Sequence, residues 1–234
     1  MCTLTFFPNT ETGFILTSNR DESPVRRTLP PAEYMAEDAR MIFPKDEVAG
    51  GTWLGVSDRN RLVCLLNGGF EPHVREASYR MSRGIIVTSL LTAENAVHEI
   101  ERFDFEGVEP FTVVTIDWST SLKIHELVWD GNTRHFSERP IKPSIWSSSL
   151  LYNTEMKKKR EHWFSNFLKT SNYIDSKALL DFHKNAGEGD PETDLVMNRG
   201  FVKTKSISQI EKNDDLGTFL YEDLQTMRSK KLEF

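Results

Sequence analysis

A chain of 234 residues, 38% hydrophobic and 27% charged, has the make-up of an ordinary globular protein able to bury a full core. Its net charge of -6, with no basic block longer than Lys157-Lys158-Lys159-Arg160, argues against a nucleic-acid partner, because phosphate binding rests on clustered positive charge. No stretch approaches the roughly 20 apolar residues that span a bilayer, and the start lacks the basic-then-apolar layout of a signal peptide, so a cytoplasmic protein without a membrane span is expected.

In chain order, residues 2–7 and 14–19 are rich in Thr, Phe, Leu and Ile around the turn-forming Pro8-Asn9-Thr10-Glu11-Thr12-Gly13, which predicts a hairpin. Residues 23–49, with four prolines and mixed polarity, predict an extended excursion over the surface. A second hairpin is expected from Gly50-Gly51-Thr52-Trp53-Leu54-Gly55-Val56 through Asp58-Arg59-Asn60 to Leu62–Leu66, ending at Asn67-Gly68-Gly69. The period then changes. Ile86, Leu90 and Leu91 suit one helix, and Ala96, Val97, Ile100 and Phe103 suit a second with Thr92 as its cap. A third hairpin is expected over 111–117 and 122–129, helices over 154–168 and 175–185, and a closing strand pair over 202–210 and 217–224. The run Lys157–Arg160 reads as the solvated face of its helix. Segregated strands and helices argue an α+β fold with antiparallel sheets, and the absence of linkers and repeats argues one domain over 1–234.

Two cysteines make no disulfide framework and show no metal-ligand spacing. Cys64, inside Leu62-Val63-Cys64-Leu65-Leu66, reads as a small core residue. Cys2 reads differently. A small second residue permits removal of Met1, which leaves a thiol and an α-amine on one residue. With pKa values of about 8.5 and about 8, each is within reach of proton exchange at neutral pH, and the amine can serve as base for its own nucleophile. If the first turn is centred between residues 10 and 11, Cys2 pairs with Asn19, and Asn19 and Asp21 share its face. Asp21 is then placed to hold the α-ammonium and Asn19 to donate to an oxyanion, with Arg20 either a site residue or a structural ion pair.

Met1-Cys2-Thr3-Leu4, Ser18-Asn19-Arg20-Asp21-Glu22, Gly50-Gly51-Thr52-Trp53-Leu54-Gly55 and Leu66-Asn67-Gly68-Gly69, in this order, resemble the NRDE family, also called the transport and Golgi organisation protein 2 family. The resemblance extends through Trp146–Tyr152 and Lys203-Thr204-Lys205-Ser206. That family resembles the N-terminal nucleophile hydrolases of the choloylglycine hydrolase and penicillin acylase branch. It implies a four-layer α-β-β-α sandwich and hydrolysis of non-peptide amide bonds in a small-molecule substrate. Carried over, Cys2 is the nucleophile, Asp21 holds the α-amine and Asn67 helps bind the oxyanion. A second oxyanion donor falls near residues 147–153, where Ser148 and Asn153 both stand as candidates. The arginine of the branch's pattern falls on Ser18, Arg20 takes its variable position, and Lys203 fills the late basic position. No cofactor is implied by the hydrolase reading. The rival reading is a haem or lipid carrier using the same pocket, with the Cys2 thiolate as a ligand to iron. The six histidines form no ligand motif and read as surface or hydrogen-bonded residues; the oligomeric state is left open.

Overall fold

The computed structural model describes residues 2–213 and 216–234, and of Cys2 the backbone alone. The chain forms two compact units, one made of Met1–Val25 with Lys142–Phe234 and the other of Arg26–Ile141. Each is built on one antiparallel sheet with two helices, an α+β architecture.

In the first unit the strands β1 (Cys2–Pro8), β2 (Phe14–Glu22), β10 (Ser144–Ser147), β11 (Lys203–Asn213), β12 (Leu216–Asp223) and β13 (Arg228–Glu233) run in the order β10-β1-β2-β11-β12-β13. The amino-terminal hairpin thus lies inside the sheet and pairs with the closing strands. Helices α3 (Thr154–Thr170) and α4 (Ser176–Asn185) begin at Asn153 and Asp175, whose side chains accept from the Met156 and Ala178 amides. Phe164, Leu179 and Phe182 from these helices pack with Ile15 of β2 and with Leu195.

In the second unit β3 (Thr28–Ala36), β4 (Ala39–Asp46), β5 (Leu54–Ser57), β6 (Arg61–Asn67), β7 (Phe111–Asp117), β8 (Lys123–Trp129) and β9 (Arg134–Arg139) follow one another in sequence order across the sheet. Helices α1 (Gly84–Thr92) and α2 (Ala96–Arg102) contribute Ile86, Val87, Leu90, Leu91 and Ile100 to an apolar cluster with Val63, Leu65, Val113 and Leu127. Cys64 is fully buried, as its apolar run predicts.

Residues 28–46 correct the expected surface excursion. They form the β3–β4 hairpin, closed by Glu37 and Asp38 with φ of 49° and 63°, the backbone of a tight strand-reversing turn. Pro30 and Pro31 are tolerated because β3 is an edge strand and its register is irregular between Leu29 and Ala32. The cap of α2 is Asn95 rather than Thr92: its side chain accepts from the Val97 and His98 amides. Strands β9, β10 and β13 carry too little apolar alternation to be expected from sequence. Among the described residues no helix is long and apolar enough to cross a membrane.

Candidate active site

The register of the first hairpin fixes what lies beside position 2. Pro8 pairs with Phe14 around a loop of odd length, so the turn is centred on Glu11, and Cys2 pairs with Arg20 while Thr3 pairs with Asn19. This corrects the expected pairing of Cys2 with Asn19. A shift of one residue reverses every side chain, so Arg20 and Ser18 belong to the row of Cys2, and Asn19 belongs to the row of Thr3. The Cys2 thiol and Met1 lie outside the described residues.

Asn19 and Asp21 face the helices of their unit. The Asn19 amide donates to the carbonyls of His183 (3.1 Å) and Leu195 (2.8 Å), and its oxygen lies 2.6 Å from His183 Nδ1. Its carboxamide therefore ties β2 to α4. His183 also lies 2.7 Å from Thr5 Oγ1 through Nε2, and full burial pushes its pKa down to about 3, so it is a neutral bridge. Asp21, also fully buried, accepts from Tyr152 Oη at Oδ2 and from Thr204 Oγ1 at Oδ1 (2.6 Å).

A bulge determines the Thr204 contact. Ser206 pairs with Arg20, and continuing that register would set Lys205 opposite Asp21; instead the register shifts between Thr204 and Ser206, and Thr204 takes the place. Lys205 is the extra residue. It is 7% exposed and donates to the Pro24 carbonyl (3.2 Å); burial first, then the nearby Arg20 charge, pushes its pKa down. Arg20, 4% exposed, lies 3.9 Å from Glu22. Two residues along β11, the Ser208 hydroxyl is buried without a hydrogen-bond partner among the described residues, and burial raises the pKa of its cross-strand neighbour Tyr221.

The other expected residues lie on separate elements. Lys203 starts β11 opposite Glu22 and is half-buried, and Lys205 lies near both it and Arg20. Ser148 is buried in the β10–α3 loop, where its carbonyl accepts from the Tyr152 amide. Asn153 is exposed, and its side-chain oxygen caps α3. Asn67 ends β6 of the second unit, buried and paired with Phe111, and is followed by Gly68 with φ of +90°, a value that favours glycine.

Sequence reasoning missed Tyr152 and Arg160. Arg160 was expected on the wet face of α3, yet it is fully buried. Its guanidinium carbon lies 3.5 Å from the Tyr152 ring centre, and it donates to Thr3 Oγ1 and to the carbonyls of Thr193 and Asp194. The apolar residues of α3 face the same side at helical spacing, and that spacing was the only available signal. Among the described residues no group of three His, Cys, Asp or Glu side chains is arranged to hold a metal, and His73, His125, His135 and His162 each lie beside a polar or acidic partner.

The family profile of Transport and Golgi organisation 2 matches residues 1–214. No curated protein matches the chain. Among solved structures it is similar to a variant of conjugated bile acid hydrolase from Clostridium perfringens, with TM-score 0.59, 8% identity, and 99% of this chain and 92% of that one covered. It is similar also to penicillin V acylase from Agrobacterium tumefaciens, with TM-score 0.58, 12% identity and coverage of 100% and 86%. A third is the N-acylethanolamine-hydrolyzing acid amidase ortholog of Caenorhabditis elegans, with TM-score 0.62, 9% identity and coverage of 89% and 92%. At these identities the likeness shows the fold, that of N-terminal nucleophile hydrolases of the choloylglycine hydrolase and penicillin acylase kind.

Proposed function

The chain belongs to the Transport and Golgi organisation 2 family, and from that premise we propose that it is an N-terminal cysteine hydrolase of non-peptide amide bonds. The observation that carries this reading is the end of the β1–β2 hairpin: one residue beyond the Cys2–Arg20 pair stands Asp21, a buried carboxylate held by two hydroxyl donors. A buried carboxylate at that place suits an α-ammonium, and the fold is shared with a penicillin V acylase, a conjugated bile acid hydrolase and an N-acylethanolamine-hydrolyzing acid amidase ortholog.

In the proposed reaction, Met1 is removed and the α-amine of Cys2 takes the thiol proton. The thiolate attacks the amide carbonyl, and the C–N bond breaks as the α-ammonium returns its proton to the leaving amine. Water, deprotonated by the same amine, then releases the acid from the acyl-enzyme. Arg20, with Lys205 beside it, lines the row of position 2 and supplies positive charge where substrate is held.

Intact mass of untagged protein, before and after brief alkylation at neutral pH, tests the premise; turnover of an amide panel by wild type and Cys2→Ala tests the chemistry. The expected result is loss of Met1, fast alkylation at position 2 and hydrolysis abolished in Cys2→Ala. Retained Met1, or equal hydrolysis by the variant, overturns the reading.

A further inference from the structure

Tyr152 sits where a loop, a helix and the central hairpin of its unit meet. Its hydroxyl donates to Asp21 Oδ2, its ring lies under the Arg160 guanidinium, and the Arg199 guanidinium carbon is 5.6 Å from the ring centre. Both arginines are themselves anchored on backbone. Arg160 holds the Thr193 and Asp194 carbonyls, and Arg199 holds the Glu192 and Leu151 carbonyls. The ring thus has little freedom to turn its hydroxyl elsewhere. Burial and the Asp21 charge push the Tyr152 pKa well above 10, so it stays a proton donor at any working pH.

The second donor has the same character. The bulge in β11 exchanges Lys205 for Thr204 opposite Asp21, and Thr204 Oγ1 is bracketed by Asp21 Oδ1, the Leu195 carbonyl (3.2 Å) and the Met197 amide (2.9 Å). Neutral hydroxyls orient a carboxylate and leave its charge in place, whereas a lysine would balance that charge. The bulge thus sets a hydroxyl against Asp21 where the unbroken register would set an ammonium.

We infer that Tyr152 and Thr204 are positioning residues that fix the Asp21 carboxylate for the α-ammonium of Cys2, with Arg160 clamping Tyr152 in place. This rests on the N-terminal cysteine reading above. It adds two hydroxyl residues and one arginine to the site, none of which touches substrate. Among the described residues, the charged and titratable groups around the position are Tyr152, Arg160, Arg199 and His183 on the Asp21 side and Arg20, Glu22, Lys203, Lys205 and Asp223 on the row of Cys2.

The test is the pH profile of Cys2 alkylation, read by peptide mass so that buried Cys64 is counted separately. It is run on wild type, Tyr152→Phe and Thr204→Val, with intact mass and thermal unfolding of each. An ammonium held beside the thiol keeps the thiol acidic, so releasing Asp21 is expected to raise the midpoint by about one unit and slow alkylation roughly tenfold below it. Met1 absent, with midpoints raised in both variants and folding retained, supports the inference. Met1 absent with all three profiles superimposed overturns it and leaves the hydrolase reading standing. Retained Met1 in wild type overturns both. Tyr152→Phe keeps the ring under Arg160; should it still fail to fold, Thr204→Val decides by the same midpoint.

Discussion

The two sheets carry helices over surfaces of opposite chemistry. Under α1 and α2 of the second unit, Val63, Leu65, Val113 and Leu127 meet Ile86, Val87 and Leu90 in an apolar layer. Under α3 and α4 of the first, the buried strand residues include Thr3, Thr5, Thr17, Asn19, Asp21 and Gln209, and the apolar contact withdraws to one end around Ile15 and Phe164. Apolar burial stabilises without direction, at roughly 25 cal/mol per Å². A buried polar layer stabilises only while each group keeps its partner, and it holds those groups in one arrangement. The first unit spends its interior on geometry, at the end of the sheet where the chain begins.

Substitutions of similar size separate the two layers best. Arg160→Met removes the donors of the Thr193 and Asp194 carbonyls and is expected to cost about 3 kcal/mol or more in urea unfolding. Leu90→Met in the apolar layer is expected to cost less than about 1.5 kcal/mol. Equal losses would show that the polar layer is as forgiving as the apolar one.

Acid probes the polar layer through His183. His183 has a folded pKa of about 3, below its ordinary 6.5, so the unfolded chain binds a proton that the folded chain refuses. Its contribution is therefore intact above pH 6.5 and is lost as pH falls toward 3, amounting to about 2 kcal/mol between pH 7 and pH 5. Unfolding free energies at those two pH values should differ by that amount more in wild type than in His183→Asn. A slope unchanged by the substitution would remove His183 as its source.

The smallest effect sharpens the boundary of the layer. Asn153 caps α3 at an exposed position, so Asn153→Ala should cost about 1 kcal/mol and leave Cys2 alkylation unchanged. A fall of about 100-fold or more in amide hydrolysis, with folding retained, would bring Asn153 back as an oxyanion donor.

Much of the fold was legible in the chain. The strands found by pattern, β1, β2, β5, β6, β7, β8, β11 and β12, are interior strands with at least one apolar face, and burial writes itself into sequence as alternation. The strands missed are all four sheet edges, β3, β9, β10 and β13, together with β4, whose Pro44 masks its apolar run. An edge is polar because one side of its ladder faces water. Of the candidate site, residue type and resemblance single out Cys2 and Asp21, whereas the strand row each belongs to was not legible.

Sequence by itself determined the element types of the interior apart from β4, the burial of Cys64 and the grouping of Cys2, Arg20 and Asp21 at the amino end. Tertiary structure alone decided three things: that the first turn is centred on Glu11 and sets Arg20 beside Cys2, that a bulge puts Thr204 rather than Lys205 opposite Asp21, and that Arg160 is buried over Tyr152. Each is a matter of parity or of a distant partner. A strand's faces exchange with one residue of loop, and an arginine in a basic run carries no local mark of the carbonyls that will receive it.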